Sequence, residues 1–147
     1  MEKTIAYQMT DNSRHMRRLF DDRVRDMDLT GPQARLMLSF ARHPGKNQAF
    51  FADRFDIEPI TLTRTIDRLE RAGHIERRPD PSDRRARLLF LTDKGQSLLA
   101  PLEETVTHML DDVLRGLDAG ERQTLAMLLD RIADNLAKSN SPEAVHG

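Results

Sequence analysis

The chain has 147 residues, enough to bury one core but not to divide comfortably into two domains. It contains no cysteine, which excludes disulfides, thiol catalysis, thiolate zinc sites and any thiol redox switch. The formal net charge is −1, so affinity for a polyanion has to come from where the 23 basic residues are placed, not from their excess.

No run of about 18 apolar residues is present, and the opening MEKTIAYQMT lacks the apolar centre of a signal peptide. A soluble, cytoplasmic protein without a membrane span is therefore expected. The first predicted helix runs from Ile5 to about Met27, with Met16, Leu19, Phe20, Val24 and Met27 on one face. Thr30-Gly31-Pro32-Gln33 reads as a capping box that starts a second helix through Leu36, Met37 and Phe40; His43-Pro44-Gly45 ends it. Asn47 caps a short third helix, Gln48 to Phe55, with Phe51, Ala52 and Phe55 expected to face inward. Small Ala52 would suit the close approach of two helices in a helix-turn-helix.

Pro59 to Ala72 forms the next predicted helix. Leu62, Ile66 and Leu69 recur at i, i+4 and i+7 and make a buried stripe, while Thr61, Arg64 and Arg68 share another face. Gly73 stops the helix by taking the left-handed conformation, and His74 is expected to cap its end as a cation. A hydroxyl and guanidinium face held from behind by aliphatics can lie in a DNA major groove. Thr61, Thr63, Arg64 and Arg68 are the residues expected to meet base edges and flanking phosphates there. Asp67 is expected to orient a neighbouring arginine.

Ile75 to Pro79 and Ala86 to Leu91 predict two short strands, joined by the turn Asp80-Pro81-Ser82-Asp83-Arg84-Arg85. A two-stranded wing of this kind can carry an arginine into the adjacent minor groove. Arg85 is the candidate, with Arg84 on phosphate and Asp83 holding Arg85 by a charge-assisted hydrogen bond. Arg77 and Arg78 are expected to add contacts to the DNA backbone. From Arg64 to Arg87 there are 8 arginines against 5 acids, while the remainder holds 15 basic and 19 acidic residues. A locally basic segment on a mildly acidic body suits a DNA reader with a separate dimerising scaffold. The competing reading, a merely solvated charged helix, leaves the wing pattern unexplained.

After the wing, Thr92 and Asp93 open a long helix with Leu98, Leu102, Val106, Leu110, Val113 and Leu117 as its stripe. Asp118-Ala119-Gly120-Glu121 is a second capping box, and Leu125, Leu128, Leu129, Ile132 and Leu136 carry the last helix; the tail SNSPEAVHG is polar. These two helices and the first need an apolar surface to bury against. A symmetric dimer supplies one and sets two recognition helices about 34–36 Å apart.

LTGPQ (Leu29 to Gln33), TRTIDRLERAGHIERR (Thr63 to Arg78), DPSDRRA (Asp80 to Ala86) and LTDKG (Leu91 to Gly95) resemble the MarR-type transcriptional regulators. The version IEPITLTRTIDRLE looks most like the SlyA-type branch. The resemblance covers most of the chain and implies a mainly α fold with a small two-stranded β-wing. It implies a single domain over 1–147, with the winged helix-turn-helix at about 30–92 and dimerisation helices at about 4–27 and 93–138. A homodimer with interleaved terminal helices, bound to double-stranded DNA and holding no cofactor, is expected from it. It also implies a small aromatic or anionic ligand between the dimerisation helices and the winged unit. The side chains expected near that crevice are His15, Met16, Arg18, Phe20, Met37 and Phe40, although methionines at helical spacing equally fill cores. One departure is Asp56, where the turn before the recognition helix often has glycine; aspartate tolerates left-handed backbone better than most residues.

Enzymatic readings find no support. The five histidines, His15, His43, His74, His108 and His146, match no catalytic or metal motif, and no phosphate-cradling loop or nucleophile elbow is present. His108 and Asp112 are four apart, which by itself does not make a metal site. The expected function is a sequence-specific DNA-binding regulator of transcription, a repressor. The alternative is an architectural or protein-interaction winged helix that does not read sequence; the threonine and arginine face argues for base contact instead.

Overall fold

The computed structural model describes residues 2–55 and 57–140, so Asp56 and the tail segment that contains His146 lie outside the described residues. Helix α1 (Glu2–Val24) gives way to one 3-10 turn, Arg25–Met27. The expected continuous helix to Met27 is thus two pieces, closed by Asp28 at φ 56°, whose N–H bonds to the Arg25 carbonyl at 3.1 Å. A short polar side chain is among the few that take this left-handed conformation cheaply.

Helix α2 (Gly31–Arg42) starts where the capping box predicts. The Thr30 hydroxyl accepts the Gln33 N–H and the Gln33 side chain accepts the Thr30 N–H. Helix α3 (Gln48–Arg54) is capped by Asn47, whose Oδ1 accepts the Phe50 N–H at 2.9 Å. Helix α4 (Pro59–Arg71) has proline in its first turn, where the missing N–H costs nothing. Strands β1 (Ile75–Asp80) and β2 (Asp83–Leu91) pair antiparallel, from Ile75 opposite Leu91 to Pro79 opposite Arg87. Helix α5 (Asp93–Val113) follows, and α6 (Ala119–Ser139) opens with the second capping box, Asp118 and Glu121.

The described residues fall into two compact units, one ending at Met109 and the other starting at Leu110. In the first, Phe40 and Phe51 meet edge to face with ring centres 4.6 Å apart, and Phe50 meets Phe51 at 5.3 Å. Leu62, Ile66 and Leu69 of α4, with Ile75 and Leu89 of the strands and Leu102 of α5, are almost wholly buried in the same cluster. Burial of each such side chain is worth about 1.5–3 kcal/mol. Ala52, expected to face inward, is exposed. Phe51 and Phe55 share a face at i, i+4, and Ala52 is turned about 100° from Phe51, so a two-turn helix cannot point both inward. The loop before α3 is tied to β2: the Gly45 N–H donates to the Leu89 carbonyl at 3.2 Å, and the Leu89 N–H to Lys46 at 2.9 Å. Gly45 has φ 75°, and the Phe90 ring lies 3.1 Å from where a Cβ would stand, so only glycine fits this crossing.

In the second unit the Arg122 guanidinium bonds the carbonyls of Leu117 and Leu114, each at 3.1 Å. Leu125, Met127, Leu128, Leu129 and Leu136 of α6 remain exposed, as do Ile5 and Tyr7 of α1.

Candidate nucleic-acid interface

With its aliphatic stripe buried, α4 turns Thr61, Arg64, Arg68 and Arg71 outward. Their side chains make no hydrogen bond or ion pair among the described residues. Thr63 is different. Its hydroxyl donates to the Pro59 carbonyl at 3.0 Å and accepts from Gln48 Nε2 at 2.8 Å. The residue expected to touch DNA therefore stands at the joint between α3 and α4, its one proton committed to the helix.

The end of α4 is a Schellman motif: the Gly73 N–H bonds Glu70 at 3.0 Å and the His74 N–H bonds Leu69 at 2.9 Å, with Gly73 at φ 82°. The His74 imidazole is not the capping cation. Desolvation, and then the charge of Lys94, lower its pKa, so the ring is neutral at pH 7. The cation at the helix end is Lys94, whose Nζ donates to the Ala72 carbonyl at 2.7 Å. Around it, the Thr92 hydroxyl donates to the Gly73 carbonyl and accepts the Gly95 N–H at 3.1 Å, and the Thr92 N–H bonds His74 at 3.0 Å. Residues 92–95 thus clamp the end of α4 to the start of α5, a role their linear motif does not reveal.

The wing strands run closer to the tip than expected, leaving Pro81 and Ser82 between them. Pairing jumps from Pro79–Arg87 to Asp80–Asp83, so Arg84, Arg85 and Ala86 form a bulge on β2. Asp80 accepts the Ser82 N–H at 2.9 Å and its hydroxyl at 2.8 Å, and these bonds, the main-chain one first, hold its carboxyl below the usual carboxylate range. Asp83 accepts the main-chain N–H of Arg85 at 2.9 Å, not its guanidinium as expected. A side chain this short closes a ring most readily with the backbone two residues on, which fixes the bulge and leaves the arginine free to project. Arg84, Arg85 and Arg87 are exposed, their side chains without partners among the described residues. Arg87, opposite Pro79 on the ladder, joins this exposed set; in the sequence only its place in the basic run points to it.

Arg77 and Arg78, expected on the DNA backbone, are engaged within the protein. Strand alternation puts Arg77 on the face of Ile75, toward α4, where it bonds Asp67 at 2.6 Å and Glu70 at 2.7 Å. Desolvation alone would lower its pKa, but the hydrogen bonds and charges of Asp67 and Glu70 outweigh it and raise it. Arg78, on the opposite face, stacks 4.2 Å over the Phe90 ring and bonds Glu76 at 2.8 Å. Arg77→Met is expected to cost about 1 kcal/mol of stability, modest because both acids are 42% exposed. The salt dependence of DNA binding should not change in that variant; a slope reduced by about one would put Arg77 on a phosphate.

The expected ligand-lining residues differ in burial. Phe20, Met37 and Phe40 are core, Met16 packs partly against it, and His15 and Arg18 are exposed. A cleft of unit 1, about 760 Å³, is lined by Arg35, Leu38, Ser39, Arg42 and His43, by Arg54 and Phe55, and by Glu103, Val106 and Thr107 of α5. Met37 and Phe40 lie on the core side of α2, and the adjacent helical positions open to the cleft. Arg54 and Lys46 flank the Phe50 ring at 4.6 and 5.4 Å. Desolvation, then Arg54, Arg42 and Lys46, lower the His43 pKa. Elsewhere His108 lies 4.0 Å from Glu104, and Asp112 pairs with Arg115 at 2.7 Å. No three candidate metal ligands converge among the described residues, and no helix there is long and apolar enough to cross a membrane.

Residues 29–86 match the sequence model of the MarR family. An uncharacterized HTH-type transcriptional regulator from Bacillus subtilis (strain 168), YybA, is 29% identical over 114 residues, 78% of this chain and 76% of that protein. A crystal structure of MarR superposes with a TM-score of 0.78 at 26% identity, covering 91% of this chain and 98% of that one. A mutant MarR from E. coli complexed with operator DNA superposes with a TM-score of 0.74 at 24% identity, over 88% and 93%.

Proposed function

We propose that this chain is a transcriptional regulator of the MarR type, not an enzyme, and that it represses transcription as a homodimer on a pseudo-palindromic operator. One observation carries this reading. All five acids between Arg64 and Arg87 are engaged internally: Asp67 and Glu70 on Arg77, Glu76 on Arg78, Asp80 on the wing turn and Asp83 on the Arg85 N–H. The other six arginines, Arg64, Arg68, Arg71, Arg84, Arg85 and Arg87, project from α4 and the wing without partners among the described residues. Such a surface is an electrostatic footprint for duplex DNA, with Thr61, Arg64 and Arg68 in the major groove and Arg85 in the minor groove. The operator complex of the E. coli relative supports the choice of DNA.

The exposed leucines of α6 and the apolar end of α1 support a dimer, which would bury them. The division into a winged region at about 30–92 and dimerisation helices at about 4–27 and 93–138 follows from the same reading, as does action in the cytoplasm. The cleft offers Arg42 and Arg54, with Arg35 already paired to Asp21, against one acid in its lining, Glu103, beside Leu38, Phe55 and Val106. A small aromatic anion that releases the operator fits that lining.

Fluorescence anisotropy over a salt series tests the proposal, comparing the DNA flanking the protein's own gene with a scrambled duplex. A preference of about a thousandfold is expected. Equal, steeply salt-dependent binding to both would support the architectural reading instead, and no binding at low salt would remove DNA from the account. Arg85→Ala should weaken binding about tenfold with fold and dimer intact, because an exposed wing tip contributes little packing. A monomeric or unfolded variant would count against its place in the minor groove.

A further inference from the structure

Ile60, the second residue of α4, is 59% exposed. The other large apolar side chains left exposed among the described residues belong to α1, α5 and α6. Burial between dimerisation helices can account for those, but not for an isoleucine in the first turn of α4. One turn further along the same exposed surface stands Arg64, and Thr61 is adjacent, with Arg68 and Arg71 beyond. A face this rich in unpaired guanidinium groups calls for a polyanion to cover it, so the occupant that meets Ile60 is duplex DNA. The major groove presents one apolar group, the 5-methyl of thymine. Residues at the N-terminal end of a recognition helix are the ones that reach base edges. A β-branched side chain in a helix is nearly fixed at χ1, so it offers a rigid apolar contact with little left to order on binding.

We propose that Ile60 reads the 5-methyl group of a thymine in each half-site, beside the base or phosphate met by Arg64. This rests on the reading that α4 enters the major groove, and it adds an apolar specificity contact to the polar set. The Thr63 hydroxyl, by contrast, is already engaged within the protein, between Gln48 and Pro59.

The test begins with selection of the preferred site from a random duplex library by the full chain. Each thymine of that site is then replaced by deoxyuridine, which lacks only the methyl. Loss of about three- to tenfold is expected at one symmetry-related pair of positions for the parent protein. Ile60→Ala should show a similar loss on the thymine duplex and no further loss with deoxyuridine, and Ile60→Val should fall between. Because Ile60 is exposed, melting by circular dichroism should be unchanged in both variants. A parent protein indifferent to deoxyuridine at every position, or Ile60→Ala that still distinguishes the two bases, would overturn the assignment while leaving the regulator reading intact. A library that yields no preferred site would overturn both.

Discussion

Alanine at Gly95 is expected to destabilise the protein by about 2–3 kcal/mol and lower its melting temperature by about 5–10 °C. The added Cβ would stand 2.1 Å from the His74 carbonyl oxygen, a distance that real Cβ atoms essentially never show, and 3.0 Å from its carbon. The obstacle is main chain, and it cannot swing away, because the same carbonyl accepts the Thr92 N–H at 3.0 Å. Relief requires the first turn of α5 to draw back from the end of α4. That movement weakens the Lys94 bond to Ala72 and the Thr92 bond to Gly73 together. Affinity for DNA should therefore fall with stability, although Gly95 touches no nucleic acid. Gly120→Ala is the control, since its Cβ would meet only Asp118 Oδ1 at 3.3 Å; its effect should stay within about 0.5 kcal/mol. Thermal melting of the two variants decides the matter. A Gly95→Ala protein that melts with its parent would mean the clamp does not hold α4.

Arg64→Ala is expected to cost about 1–3 kcal/mol of operator affinity, roughly 5- to 150-fold, and to relax discrimination at one base step. The side chain is exposed and partnerless among the described residues, so the fold should be untouched. Binding measured on duplexes changed at single positions separates two roles. Loss confined to one step assigns Arg64 to a base, and a uniform loss with a shallower salt slope assigns it to a phosphate. The same comparison on Arg68, one turn along, would show how far α4 lies in the groove.

Most of the fold was legible in the sequence because its signals are local. A capping box spans four residues, a buried stripe repeats every three or four, and Gly73 ends a helix through its own backbone freedom. The same rules located both capping boxes, the stripe of Leu62, Ile66 and Leu69, and a two-stranded wing. The direction in which a side chain points is less local. Ala52 sits beside Phe51 in sequence but around the helix from it. Phe20, Met37 and Phe40, expected near a ligand crevice, belong to the buried core cluster.

The arginines mark the division between sequence and structure most clearly. Composition alone determined that the segment from Arg64 to Arg87 is basic, and motif order determined that it forms a helix and a wing. Which arginines are available to a partner was decided by tertiary structure. Arg77 and Arg85 are the same residue on paired strands, one fixed by Asp67 and Glu70, the other projecting from a bulge. The choice depends on strand register and on which face of β1 meets α4. One residue of register reverses every side chain, and short-range pattern cannot specify charges brought together across 7 to 10 positions of chain.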